Sequence, residues 1–237
     1  LLPKPHEDSS DAAPSEKLCN LIRSSIEASE QGFWVLNKPA GISVHQSNDE
    51  LHGVVEVMRY LYGEAHLVHR LDRGTSGCLV IAKDYQSLVA LSAIWKGREL
   101  EKVYQTLVEG VPKWSQQIVT KPLRRLEENG KLNKVVVDQS GKPAETNFKR
   151  LECFARSALL EVRILTGRTH QIRVHTSAIG YPIIGDKRYG SGLPKGLRRI
   201  FLHASELAFD FNHQHYQFKF ALPEDLQDFL SRLNHDL

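Results

Sequence analysis

The chain has 237 residues, 41% of them hydrophobic and 25% charged, with a formal net charge of +3 at pH 7. That length admits one large domain or two small ones around a real core, and the small net charge excludes a polycation that binds by bulk charge alone. No apolar run is long enough to span a bilayer and no signal-peptide pattern is present, so secretion and membrane insertion are not expected.

Residues 1 to about 15 are polar, broken by prolines and without an initiator Met, and read as a linker or a trimmed end. Leu18, Leu21, Ile22 and Ile26 then recur at helical spacing, which predicts a short amphipathic helix from Glu16 to about Ser29, ended by Gly32. Phe33 to Leu36 reads as a strand, and Asn37-Lys38-Pro39-Ala40-Gly41 as the turn that closes it. Val54 to Tyr62 is expected to be a helix stopped by Gly63.

The segment His69-Arg70-Leu71-Asp72-Arg73-Gly74-Thr75-Ser76-Gly77 runs straight into the apolar strand Cys78 to Ala82. Arginines flank a single carboxylate here, and nearby positive charge favours the ionised form. Asp72 is therefore a candidate nucleophile or base rather than a proton donor. The plain alternative is a surface ion pair worth little beside ordinary Thr-Ser-Gly turn chemistry.

Asp84 is a suitable N-cap for a helix that carries Leu88, Leu91 and Trp95 on one stripe, with Gly97 near its end. Glu101 to Val108 follows as a strand whose period of two places Lys102 and Tyr104 on one face. Residues 121 to 143, with Lys121, Arg124, Arg125, Lys131, Lys134 and Lys142, read as a basic, turn-rich excursion around Gly130 and Gly141. A charge run of this kind is by default a solvated face, and in an RNA-binding protein it would supply phosphate contacts. Glu145 to Phe148 and Ala158 to Leu165 read as two further strands.

The second dense stretch is Thr166-Gly167-Arg168-Thr169-His170-Gln171-Ile172-Arg173-Val174-His175. Thr169 can cap a helix that Gly180 and Pro182 stop, with Thr169 and Arg173 on one side and Gln171 and His175 on another. His170 and His175 do not read as a metal pair: a five-residue step leaves them off a common helix face, and His-Glu-x-x-His is absent. The cysteines, Cys19, Cys78 and Cys153, also lack metal-ligand spacing, and they fit a reduced, cytoplasmic setting. Gly185 to Gly190 reads as a turn and Leu202-His203-Ala204 as a buried strand. A hairpin, Leu207 to Phe211 with Tyr216 to Leu222, and a short helix after Pro223 close the chain.

The pattern His-Arg-Leu-Asp-x-x-Thr-Ser-Gly resembles the signature of the RluA-type pseudouridine synthases. Asn37 through His45, Lys102-x-Tyr104, the stretch from Thr166 to His175, Gly185 to Gly190 and Leu202 to Ala204 are similar to further family motifs, in family order, from about Phe33 to Leu222. The run from Gly141 to Gly190 resembles the RluC branch, which carries a small RNA-binding module ahead of its catalytic domain. No such module stands in this sequence, so the chain is read either as a catalytic fragment or as an enzyme working without it. Residues 1–30 are assigned to an N-terminal linker and short helix and 31–237 to the catalytic domain.

The resemblance implies an α+β fold with a mixed, mostly antiparallel central sheet flanked by helices and a basic active-site cleft across its middle. It implies isomerisation of uridine to pseudouridine in bacterial large-subunit ribosomal RNA, with transfer RNA as the runner-up substrate. By the same match Asp72 is the catalytic carboxylate, Arg173 its partner and Tyr104 the ring that stacks on the base. Arg70 is similar to the arginine that intrudes where the base has left. Arg70, Lys38, Lys102, Arg168 and His170 are the expected RNA contacts, with Arg168 alternatively bracing its loop.

No cofactor or metal, no membrane and no obligate protein partner are expected, and the protein is expected to be a monomer. The residues leave open whether Asp72 adds to C1′, adds to C6 or removes the C2′ proton. Two rival classes are a non-catalytic RNA-binding module on this fold and a metal-dependent hydrolase using His170, His175 and Asp72.

Overall fold

The computed structural model describes residues 13–46, 50–97, 100–128 and 131–235. Residues 1–12 of the expected linker, and Gly130 in the basic stretch, lie outside them. Helix α1 covers Glu16–Ser24, its first turn capped by Ser15, whose hydroxyl accepts the Leu18 N–H. It stops short of the expected Ser29. The hydroxyls of Ser24 and Ser25 donate back to the Leu21 and Ile22 carbonyls, a local alternative to further helix. Ile26–Glu30 instead becomes strand β1, pairing antiparallel with β2, Phe33–Lys38. Ile26 thus belongs to a sheet edge, because pairing there satisfies backbone groups that a frayed helix end leaves open.

Helix α2, Val54–Tyr62, and helix α3, Tyr85–Lys96, follow the sequence closely. Gly63 ends α2 at φ 89°, and the Asp84 carboxylate caps α3 by accepting the Ser87 N–H. Between them lie β3, His66–Leu67, and β4, Ser76–Ala82, all seven residues of which are buried. The remaining strands of the large sheet are β5 (Glu101–Glu109), β6 (Gln116–Val119), β9 (Thr146–Cys153), β10 (Ser157–Ile164), β11 (Leu202–Phe211) and β12 (Gln214–Lys219). Their order is β1-β2-β4-β11-β5-β10-β9-β6, with β12 beside β11 and β3 beside β4.

Among the described residues β4 with β11 is the one parallel pair of this sheet, and the other pairings are antiparallel. The expected α+β architecture is therefore the observed one. The parallel pair meets at His203 opposite Ser76 and Ala204 opposite Gly77. Gly77 sits at φ 109°, and a Cβ there would stand 2.1 Å from the Ala204 carbonyl oxygen, so only glycine lets the two strands close.

Two further expectations change. The stretch from 121 to 143 is not an irregular excursion. It contains the two-stranded ribbon β7, Leu123–Glu128, and β8, Lys131–Val137. Its strand character is masked because charged residues occupy most of the exposed positions, and Leu123 and Val135 are the residues of the ribbon, among those described, buried against Ala144 and Val174. Helix α4, Gln171–Ala178, is not capped by Thr169. Its N-cap is His170, held in the left-handed region at φ 53° with no side-chain cap bond. The Gln171 side chain ties the loop instead, accepting from Thr166 Oγ1 and the Arg168 N–H while donating to Glu145 O and Thr146 Oγ1. Helix α5, Glu224–His235, closes the chain.

Candidate active site

The loop leading into β4 alternates between anchor and exposed side chain. Leu71 and Thr75 are buried, and the Thr75 N–H donates to the Asp72 carbonyl. His69 Nε2 accepts the Val80 N–H at 3.0 Å while its ring stacks on Trp95. Burial, aided by Lys102, holds that imidazole down to about 3, so it stays neutral and works as a clamp. Arg70 and Asp72, on the other alternation, face the clefts.

Lys38 does not reach RNA. It is fully buried, and its ammonium donates to the carbonyls of Pro39 (2.8 Å), Ile42 (2.7 Å) and Arg73 (3.5 Å). Burial, with Arg199 nearby, lowers it to about 7. Lys38 ends β2 just before proline and its side chain turns inward there, which the sequence could not reveal. Arg73 serves the same turn: its Nε donates to Gly41 O and its Nη2 pairs with Glu50 at 2.9 Å. The flanking arginines therefore do not hold Asp72, contrary to the local reading of the sequence. Arg73 points away, and Arg70 has no hydrogen bond or ion pair among the described residues.

The cation that does hold it comes from α4. Arg173 Nη1 donates to Asp72 Oδ2 at 2.9 Å, while Nε and Nη2 donate to the two oxygens of Asp186 at 2.8 and 2.9 Å. Burial would disfavour the guanidinium charge, but Asp186 and Asp72 outweigh it and raise the pKa further. Burial alone would likewise raise Asp186, yet Arg173 and the N–H groups of Arg188 and Tyr189 hold it below its usual value. Asp186 has no exposed side-chain surface and Asp72 keeps 32% of its own. One carboxylate is a fixed counter-ion and the other is available.

Asp186 was missed as a site residue. The signals were an acidic residue in Gly185 to Gly190 and the resemblance of that stretch to a family motif, and a turn was an adequate explanation of both.

His170 lies beside this pair rather than on the outer surface. Its Nε2 is 3.7 Å from Asp72 Oδ2 and its Nδ1 is 2.9 Å from the Tyr189 hydroxyl. Burial lowers its pKa to about 4 against the opposing pull of Asp72. The other histidine of the motif, His175, is fully buried between Thr146 Oγ1 and Lys121 O. Among the described residues no three His, Cys, Asp or Glu groups cluster as metal ligands, and His175 is committed elsewhere.

Asp72 stands on the wall between two clefts. One has Tyr104, Ile164 and Leu202 with Arg70 and Arg168; the other has Ser43, His45, Arg73 and Arg188. Tyr104 is 9% exposed, and burial pushes its phenol up, so it presents a neutral ring at physiological pH. Lys102 approaches Gly167 on the same side, with its pKa lowered by burial. Arg168 Nε donates to Pro143 O while the residue remains exposed, which satisfies the bracing alternative.

A model of the RNA pseudouridylate synthases matches residues 32–178. The chain belongs to the RNA pseudouridylate synthase family. Ribosomal large subunit pseudouridine synthase C of Vibrio vulnificus is 40% identical over 210 residues, covering 84% of this chain and 66% of that protein. The protein of the same name from Salmonella typhi is 42% identical over 189 residues, covering 74% of this chain and 58% of that one. This family member thus spans about two thirds or less of these relatives' length. A solved structure of human RNA pseudouridylate synthase domain containing 4 superposes with a TM-score of 0.77 at 26% identity, covering 92% of this chain and 96% of that one.

Proposed function

We propose that the protein isomerises uridine to pseudouridine in RNA, with bacterial large-subunit ribosomal RNA as its substrate. The observation that carries the reading is the 2.9 Å contact of Arg173 with Asp72, bridging 101 residues of sequence, at the mouth of a cleft floored by Tyr104. The names of the relatives support the ribosomal substrate.

In the reaction the N1–C1′ bond breaks, the uracil rotates, C5 bonds to C1′, and the C5 proton leaves as N1 gains one. Ribose acquires oxocarbenium character when the bond breaks, and an adjacent carboxylate stabilises or captures that charge. Asp72 performs that role, aimed by Arg173. A donor already in place needs no reorganisation at the moment of reaction. The base must first leave its stack at a cost of a few kcal/mol, and stacking on Tyr104 returns about 1–3 kcal/mol of it. Arg70, without a hydrogen bond or ion pair among the described residues and facing the cleft, takes the space the base vacates, and Lys102 and Arg168 meet the backbone. The uracil is retained and reused, so one carboxylate suffices where hydrolysis would need a second to activate water. The monomeric state and cytoplasmic location remain part of this proposal; no described helix is long and apolar enough to cross a membrane.

With large-subunit ribosomal RNA transcribed with C5-tritiated uridine, the wild-type protein should release tritium. Asp72→Asn should reduce release to background while RNA affinity stays within about twofold, since phosphate contacts dominate affinity. RNA binding by the wild type without tritium release would favour the non-catalytic module, and turnover by Asp72→Asn would remove Asp72 from its role.

A further inference from the structure

Asp72 Oδ2 is faced from two sides, by Arg173 Nη1 at 2.9 Å and His170 Nε2 at 3.7 Å. No bond occupies Oδ1 among the described residues, so Oδ1 is the oxygen free to meet the ribose. His170 is specified in turn. The Val135 N–H of β8 donates to the Tyr189 hydroxyl at 3.0 Å. The same hydroxyl stands 2.9 Å from His170 Nδ1, and its one proton is the donor when Nδ1 accepts. A ring that accepts at Nδ1 carries its own proton on Nε2, the nitrogen directed at Asp72. The residue maintains this pose in a left-handed backbone conformation at φ 53°, which is strained for a non-glycine residue and persists only where surroundings enforce it.

We infer that Tyr189 and His170 are positioning residues that turn Oδ1 of Asp72 toward the ribose and make that orientation depend on the docking of the β7–β8 ribbon. The ribbon reaches the body through the small cluster of Leu123, Val135, Ala144 and Val174, with Tyr189 packed against it. Its basic side chains, Arg124, Arg125 and Lys134, together with Lys142, offer phosphate contacts, so RNA pressed on the ribbon bears on the same hydrogen-bond chain. The inference rests on the proposed isomerase activity. The charged and titratable groups around His170 are Asp72 from the loop before β4, Arg173 from α4, and Asp186, Arg188 and Tyr189 from the loop after α4. Lys134 of β8 stands over the Tyr189 ring.

The test pairs kinetics with histidine ¹⁵N spectra, which report tautomer and protonation whether or not the protein turns over. In the wild type the His170 signal should show Nε2–H and no titration between pH 5 and 8. In Tyr189→Phe, which keeps the ring beside Arg173, the signal should lose its fixed tautomer and titrate within that range. Turnover of this variant should fall about tenfold with KM for RNA within about twofold, and its pH profile should gain an acid limb absent from the wild type. His170→Leu should show the same loss in kcat, and His170→Gln, which restores an N–H donor, should recover part of it.

Wild-type turnover in folded His170→Leu, or a His170 that titrates normally in the wild-type protein, would overturn the inference. So would a Tyr189→Phe loss that follows melting temperature alone with an unchanged pH profile. An inactive wild type with the expected spectra would refute the isomerase reading and leave the tautomer assignment standing.

Discussion

The two sides of Asp72 hold it by different means. On the β4 side the contacts are buried and run to the backbone: Lys38 on three carbonyls, His69 on the Val80 N–H, and Thr75 on the Asp72 carbonyl. On the α4 side they run between side chains: Arg173 between two carboxylates, and His170 on Tyr189. The first set locates the Cα of Asp72. The second aims its carboxylate. Backbone anchors survive changes of side chain around them, whereas a charged network is only as good as its complete set of partners.

The contrast is broken most severely at Asp186. Asp186→Ala strips the buried guanidinium of its two-pronged partner and leaves the Arg188 and Tyr189 N–H groups unmet. Breaking a buried pair from one side costs about 3–5 kcal/mol, so the urea midpoint should drop by that equivalent at constant slope, with turnover falling as well. A midpoint within error of the wild type would mean that Asp186 is not the anchor of Arg173.

Arg173→Lys retains the charge and removes the fork. A single ammonium cannot serve Asp72 and Asp186 in this geometry, and turnover should fall about a hundredfold, roughly 2.7 kcal/mol of transition-state stabilisation. Retention of full kcat would show that charge without direction is enough on the α4 side.

Acid should affect both sides alike. His203, buried beside Ser76 Oγ and Phe220 O near the start of β4, is lowered to about 4 by burial. His175 on α4 is also lowered by burial. The unfolded chain takes up protons on these rings near pH 6.5 and the folded chain does not until lower pH, so stability falls as pH drops through that window. Between pH 7 and 5.5 the loss from His203 should be of order 1 kcal/mol, with His175 adding to it in the same direction, read as a lower urea midpoint at pH 5.5. Equal midpoints at the two pH values would mean that the rings are protonated in the fold.

Much of this was legible beforehand. The boundaries of α2 and α3 followed from Gly63 and Asp84, because caps and stops act through neighbouring backbone. Asp72, Tyr104 and Arg173 were singled out from motifs, and the structure brings them to one cleft. The mistaken placements share a cause. Lys38 was assigned to RNA because its stretch resembles the family segment beside the catalytic loop, and its burial arises from the packing of the turn against the loop of Arg73. The ribbon of β7 and β8 went unseen because its pairing partner supplies the order that its charged pattern conceals.

The sequence by itself determined the apolar strands, the limits of α2 and α3 and the identities of the charged groups, since each depends on residues a few positions apart. Tertiary structure alone decided which arginine meets Asp72 and that Asp186 shares it. Those choices depend on distances across segments roughly a hundred residues apart, where Coulomb and hydrogen-bond energies act only once the sheet has assembled.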